Sequence, residues 1–129
     1  MPTLRLAPAS SEDYRRLAEK RLPRSLFDYI DGGANREVTM SDNISDFDAL
    51  KLRQRVMRDV SDVDTSIELL GETWSMPVAL APVGLAGMMA RRAEVQAVKA
   101  ADTLGVPFCL STVGICSLEE VAEASQRPF

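Results

Sequence analysis

Met76–Gly84 reads MPVALAPVG, a continuous apolar run punctuated by proline and closed by glycine. Such a run, bounded by turn residues, is the pattern of a strand buried on both faces. Downstream, Glu94–Leu104 carries Val95, Val98, Ala101 and Leu104 at helical spacing. That spacing predicts a helix with these residues inward and Gly105 as its stop. Val106–Thr112 reads VPFCLST and predicts a second buried strand. Ser117-Leu-Glu-Glu120 is a capping box that opens a second helix. Strand, helix, strand, helix is the rhythm of a parallel α/β sheet.

Upstream of this region the pattern is helical. Ser10–Leu22 reads as a short helix with Ser10 or Ser11 as cap and Glu12 and Asp13 favoured by the helix dipole. Tyr14, Leu17, Ala18 and Leu22 fall on one face. Pro23 breaks the run and can open a second helix carrying Leu26, Phe27, Tyr29 and Ile30. Gly32 or Gly33 is expected to end it in the left-handed conformation. Ser41–Leu50 reads as another short helix with Ile44 and Phe47 inward, and Lys51–Asp64 as irregular. Thr65–Met76 reads as a hairpin, with Ile67 and Leu69 alternating with polar residues and Gly71 near the turn.

Composition narrows the function classes. The chain has 129 residues, 46% hydrophobic and 26% charged, with a net charge of −4. The acidic balance argues against a nucleic-acid partner, and the pairs Arg15-Arg16 and Arg91-Arg92 read as solvated faces among acids. No apolar run approaches the ~20 residues of a membrane helix. The N-terminus, MPTLRLAPASSED, lacks a secretory apolar region, so a cytoplasmic location is expected. Cys109 and Cys116 fit reduced core or near-core thiols, Cys109 inert within its apolar strand. The chain contains no histidine, which removes both the commonest general base and a common metal ligand. No metal site, phosphate loop or dinucleotide fingerprint is present in the sequence. Met88, Met89 and Trp74 read as packing residues.

Two buried parallel strands cannot cover their own edges. A (β/α)8 barrel needs roughly 250 residues. The expectation is that these residues are the front portion of a larger protein, or are completed by a partner chain or by further copies.

Three motifs, in order, then carry a resemblance. LPRSLFDYIDGGANREVT, SMPVALAPVGLAGMMARRAE and PFCLSTVGICSLEEVAEA resemble the opening of the FMN-dependent 2-hydroxy-acid oxidising enzymes. The resemblance runs from about Asp13 onward, and the APVGL.GM.ARR stretch favours the respiratory L-lactate dehydrogenase group within that family. It implies an α/β fold: the N-terminal part of a (β/α)8 TIM barrel, preceded by a short helical cap and a β-hairpin. Residues 1–64 would form the cap, and residues 65–129 the bottom hairpin with the first two βα units.

The resemblance also assigns roles. Tyr29 corresponds to the tyrosine whose hydroxyl binds the substrate carboxylate; by spacing alone it reads rather as a core aromatic with its hydroxyl at the surface. Pro82, Val83 and Gly84 correspond to the main chain that lies against the flavin and donates toward N5, where negative charge develops on reduction. Without the resemblance they could equally be an ordinary strand-to-loop turn. Ser111 corresponds to a hydroxyl bonded to the polar edge of the flavin pyrimidine, although Ser111 or Thr112 could also act as a simple cap. Relatives usually carry glycine where this chain has Ala93, and the contacts of the preceding loop depend on whether that position needs positive φ.

The implied reaction is oxidation of L-lactate, a 2-hydroxy acid, to pyruvate with FMN, electrons passing to the respiratory chain. The implied histidine base, arginines and lysine belong to later strands, so no catalytic residue is assigned in this chain and the polypeptide alone is expected to be inactive. Implied partners are the remainder of the barrel or a complementing chain, further copies in a homo-oligomer, and the inner membrane, touched peripherally through a segment beyond Phe129. Two rival readings stay open: a non-catalytic, partner-dependent module, and another flavin barrel such as a flavin-dependent isomerase.

Overall fold

The computed structural model describes residues 7–129; the first six residues, with which the expected cap begins, lie outside the described residues. The chain divides into two compact units, Met1–Val56 and Met57–Phe129.

The first unit is helical. Helix α1, Ser11–Arg21, starts where Ser10 Oγ accepts the Asp13 N–H at 3.2 Å. Acids in its first turn and Lys20 and Arg21 in its last complement the helix dipole. Helix α2, Arg24–Asp31, follows Pro23 and packs on α1. Phe27 is the residue α2 buries. Arg15 crosses between these helices, its Nε 2.5 Å and Nη2 2.7 Å from the two Asp31 oxygens, with its guanidinium carbon 5.8 Å from the Phe27 ring centroid. This hydrogen bond from Arg15 is the main influence holding the Asp31 carboxyl below the usual carboxylate range.

The Gly32-Gly33 expectation needs correction. Gly32 leaves α2 at φ −83°, in extended backbone, and the left-handed residues of this turn are Asn35 at φ 51° and Glu37 at φ 59°. Glycine is required here by close approach instead. A Cβ on Gly32 would stand 2.9 Å from the Asp28 carbonyl oxygen, and one on Gly33 3.2 Å from Met40 Cβ. Helix α3, Val38–Ala49, begins three residues earlier than expected. Ile44 and Phe47 are not inward: they are 66% and 76% exposed, because among the described residues no neighbouring element of the unit packs on α3 as α2 packs on α1.

The second unit opens with the irregular tract expected up to Asp64. Strands β1, Ile67–Leu69, and β2, Glu72–Trp74, form an antiparallel hairpin pairing Ile67 with Trp74 and Leu69 with Glu72. Its two-residue turn, Leu70-Gly71, has both φ positive, at 55° and 79°, the twist that suits a tight hairpin. The hairpin is tied down at one end of the unit. Ser75 N–H donates to the Gly105 carbonyl at 3.0 Å, Ser75 Oγ donates to the Leu104 carbonyl at 2.5 Å, and Arg127 donates to the Thr73 carbonyl at 3.0 Å.

The two apolar runs meet in parallel at Leu80 and Phe108. Leu80 N–H donates to the Pro107 carbonyl at 2.9 Å and Cys109 N–H to the Leu80 carbonyl at 3.0 Å. They are not buried on both faces as expected. One face packs on helices α5, Ala93–Leu104, and α6, Leu118–Ala124, through Val106 and Phe108. Val78 and Val83 stay 49% and 62% exposed. Cys109, expected in or near the core, is exposed on this account, while Cys116 is buried.

The core gathers Val95, Val98 and Ala101 of α5, Val121 of α6, and Val106, Phe108 and Cys116. Leu104 is not inward but 57% exposed, since α5 ends at once in Gly105 with φ 66°. The capping box at Ser117 is complete: Ser117 Oγ accepts the Glu120 N–H at 3.2 Å and Glu120 Oε2 accepts the Ser117 N–H at 3.0 Å. Trp74 is half-buried in the hairpin, Met88 is 49% exposed and Met89 half-buried.

Candidate functional site

Because the runs through Leu80 and Phe108 are parallel, the loops that leave them emerge at the same end, opposite the hairpin. The backbone joins the two loops there, Leu85 N–H donating to the Val113 carbonyl at 3.0 Å. Gly84 lies in a tight place. A Cβ on it would stand 2.9 Å from Val113 Cγ2 and 3.8 Å from Ser111 Oγ, so the missing side chain is what lets the loops close on each other. The fold therefore brings Gly84 and Ser111, 27 positions apart by number (111 minus 84), to one spot.

Ser111 is half-buried and its Oγ accepts the Val113 N–H at 3.3 Å, which leaves the hydroxyl proton available to donate elsewhere. Pro82, Val83 and Gly84 are exposed. A mainly apolar cavity of ≈ 350 Å³ adjoins them, its wall including Ala79, Ala81, Val83, Cys109 and Ser111. Its size falls at the lower end for sites that take organic ligands.

The loop after the first run is tightly folded. Leu85 at φ 54° precedes the short helix α4, Ala86–Met89, and Arg92 at φ 53° precedes α5. Ala93 is the first residue of α5, and the positive φ falls on its neighbour. Alanine is thus unstrained at the position where relatives were expected to carry glycine.

Glu94 was not singled out as a site residue by sequence, where it read simply as the start of a helix. It is buried, 2% exposed, and its Oε1 accepts the Gly87 N–H at 3.1 Å and the Ile115 N–H at 2.9 Å. Burial pushes its carboxyl up, but the backbone donors, Ile115 first, outweigh that and bring it down to about 2. Oε2 has no hydrogen-bond partner among the described residues. Burial first, and then this carboxylate, push the Cys116 thiol up, so Cys116 is protonated and unreactive at neutral pH.

Tyr29 belongs to the first unit. On α2 it stands two residues after the buried Phe27 and hence on the other side of the helix, 67% exposed.

A mainly apolar recess lined by the two parallel runs and the start of α5, and edged by the Ser111 hydroxyl, is compatible with α/β enzymes that hold an organic cofactor at their strand ends. Residues 18–129 match the family model of the FMN-dependent dehydrogenases, and the chain belongs to that family. It is 60% identical, over 94% of its length, to an L-lactate dehydrogenase of Stenotrophomonas maltophilia, and 58% identical, over the same share, to one of Haemophilus influenzae. It spans about a third of the length of these curated relatives, 32% in each case. Among solved structures it resembles a mandelate oxidase, with a TM-score of 0.86 and 32% identity over 95% of this chain and 36% of that one. It also resembles a soluble mutant of the membrane-associated (S)-mandelate dehydrogenase from Pseudomonas putida, with a TM-score of 0.82 and 36% identity over 89% of this chain and 33% of that one. The α/β fold is thus that of the FMN-dependent hydroxy-acid dehydrogenases. Among the described residues no helix is long and apolar enough to cross a membrane.

Proposed function

We propose that this chain supplies the substrate tyrosine and part of the flavin shelf of an FMN-dependent dehydrogenase that oxidises a 2-hydroxy acid, L-lactate, to the 2-oxo acid pyruvate. In this reading residues 1–64 are the cap, residues 65–76 close the barrel bottom, and the segments around Leu80 and Phe108 are the first two barrel strands. The observation that carries the reading is the convergence of Gly84 and Ser111 at one strand end in a chain of this family.

The residues present fit the cofactor. The ring system of FMN is flat and broad, with its polar atoms along one edge. The recess offers small apolar groups, Ala79 and Ala81, and the Ser111 hydroxyl with a proton to donate, and beside Ser111 the Gly84 backbone is uncovered by side chain. When bound, FMN supplies a two-electron acceptor for the substrate's hydride.

The chain's own residues bind and orient. Pro82, Val83 and Gly84 present main chain to the ring, and Ser111 donates to its polar edge. The Tyr29 hydroxyl donates to the substrate carboxylate, a charge-assisted bond that fixes the acid's orientation. None of the 129 residues is histidine, so in this reading the α-hydroxyl proton goes to a base outside this chain. Passage of electrons to the respiratory chain, assembly with further copies and peripheral contact with the inner membrane complete the proposal.

The full polypeptide, purified and kept anaerobic, is expected to be yellow and to bleach on addition of L-lactate. A colourless protein that takes up no FMN would overturn the reading in favour of a non-catalytic module. A yellow protein that no 2-hydroxy acid bleaches would overturn the substrate class. Tyr29→Phe is expected to raise KM for L-lactate about 10- to 100-fold, the value of one hydrogen bond to a charged group. An unchanged KM removes Tyr29 from the substrate site.

A further inference from the structure

The loops after Leu80 and after Phe108 are held together at two levels. The outer one is the direct bond from Leu85 N–H to the Val113 carbonyl, 3.0 Å. The inner one is Glu94. A single oxygen of it, Oε1, takes the Gly87 N–H from the first loop and the Ile115 N–H from the second. The loops are also pressed together there: a Cβ on Gly87 would lie 2.6 Å from Ile115 Cβ and 3.1 Å from Glu94 Oε2. Gly84 and Ser111 sit on these same two loops, three and four residues before the clamped amides (87 minus 84, 115 minus 111).

A buried carboxylate costs a great deal to desolvate, and its charge here is met by backbone dipoles rather than by a cation among the described residues. An apolar residue would pack the helix start more cheaply. What an apolar residue cannot do is bind two amides from separate loops at one point.

We propose that Glu94 is a positioning residue for the flavin shelf: bridging the Gly87 and Ile115 amides, it fixes the loop of Gly84 against the loop of Ser111 in the geometry that receives the ring. This rests on the FMN reading of the site. The feature that matters is reach, since both amides must meet one oxygen. Asp at this position is one methylene too short to span them. Gln keeps the length and the accepting oxygen while losing the charge.

The test compares Glu94→Asp and Glu94→Gln in the full polypeptide with Val121→Ala, a core variant on α6 that lowers stability without removing either amide bond to Glu94. FMN dissociation constants are read by flavin fluorescence, and exchange of the Gly87 and Ile115 amides by mass spectrometry, alongside thermal midpoints. The Asp variant is expected to lose about tenfold or more in FMN affinity, as orienting groups behind a site typically do. Its two amides exchange faster. The Gln variant loses less on both measures, and Val121→Ala keeps its FMN affinity at a comparable loss of thermal midpoint. Gln losing as much as Asp, or Val121→Ala losing as much as Asp, overturns the positioning role. Wild-type protein that binds no FMN overturns the flavin reading itself, and this proposal with it. Tight wild-type binding with an unaffected Asp variant overturns this proposal alone.

Discussion

The two units of this chain were built by opposite means. In the second, α5 and α6 press Val98, Val121 and Phe108 into one core, with a capped helix, a pinned hairpin and a buried carboxylate around it. In the first, Phe27 is the buried residue among those described, and Tyr14, Tyr29, Ile44 and Phe47 all stand exposed. The first unit is held by one side-chain cap, at Ser10, and by the Arg15–Asp31 link; the second is held by burial. A helix with apolar residues and no surface of its own unit to cover them gains little from those residues. Amphipathic spacing thus reports what a helix can bury, and the partner surface decides whether it does.

The sharpest way to break this contrast is to cut one phenylalanine from each unit. Phe108→Ala should cost about 3–5 kcal/mol, because a 7%-exposed ring leaves a cavity and also loses its contact with Phe129, 6.2 Å away between centroids. Phe47→Ala should stay within about 0.5 kcal/mol, as surface changes do. Denaturant unfolding read by amide exchange in each unit checks both. A large cost at Phe47 would mean that another surface covers α3.

The second effect is the acid lability that Glu94 contributes to the second unit. Glu94 sits at about 2 in the folded state against an ordinary 4.5. A depressed carboxyl stabilises the fold above its unfolded value and loses that contribution as pH falls through the folded one. The window is therefore from about 4.5 down to about 2, and the loss is on the order of 2–3 kcal/mol. Glu94→Gln should flatten that part of the stability profile. A slope that survives the substitution would assign it to other carboxylates.

The smallest effect compares two caps. Ser117→Ala breaks a reciprocal box and should cost about 1 kcal/mol, and Ser10→Ala, which removes the acceptor for Asp13 N–H and a hydroxyl bond to the exposed Asp13 carboxylate, should cost less, toward about 0.5 kcal/mol. Thermal midpoints of the two variants check the order. Equal costs would mean that the return bond from Glu120 adds nothing to the helix.

Much of the second unit was legible before folding. Ser117 and Glu120 announce a helix start because both bonds of the box are made within three residues. Gly105 announces a helix end because an αL residue there is cheap only for glycine. The hairpin turn at Leu70-Gly71 was legible near Gly71 for a similar reason. The candidate site was legible in part. Gly84 and Ser111 were named through a family resemblance, yet nothing local tells a reader that a Cβ at 84 would strike Val113. Glu94 escaped notice because an acid in the first turn of a helix is ordinary, favoured by the dipole and normally solvated.

Sequence alone therefore determined most of the helices, the hairpin, the Gly105 stop and the order of the two parallel runs, since caps, glycine stops and spacing act over one or two turns of chain. It did not fix the start of α3 or the turn at Gly32, and the two runs meet at a single bridge rather than as full strands. Tertiary structure decided which faces those elements use. It left Leu104, Phe47 and Cys109 in solvent, buried Cys116, and sank Glu94 between two loops. The physical reason is separation along the chain: Glu94 finds its amides 7 and 21 residues away, and burial at such a point exists only once distant segments have closed around it.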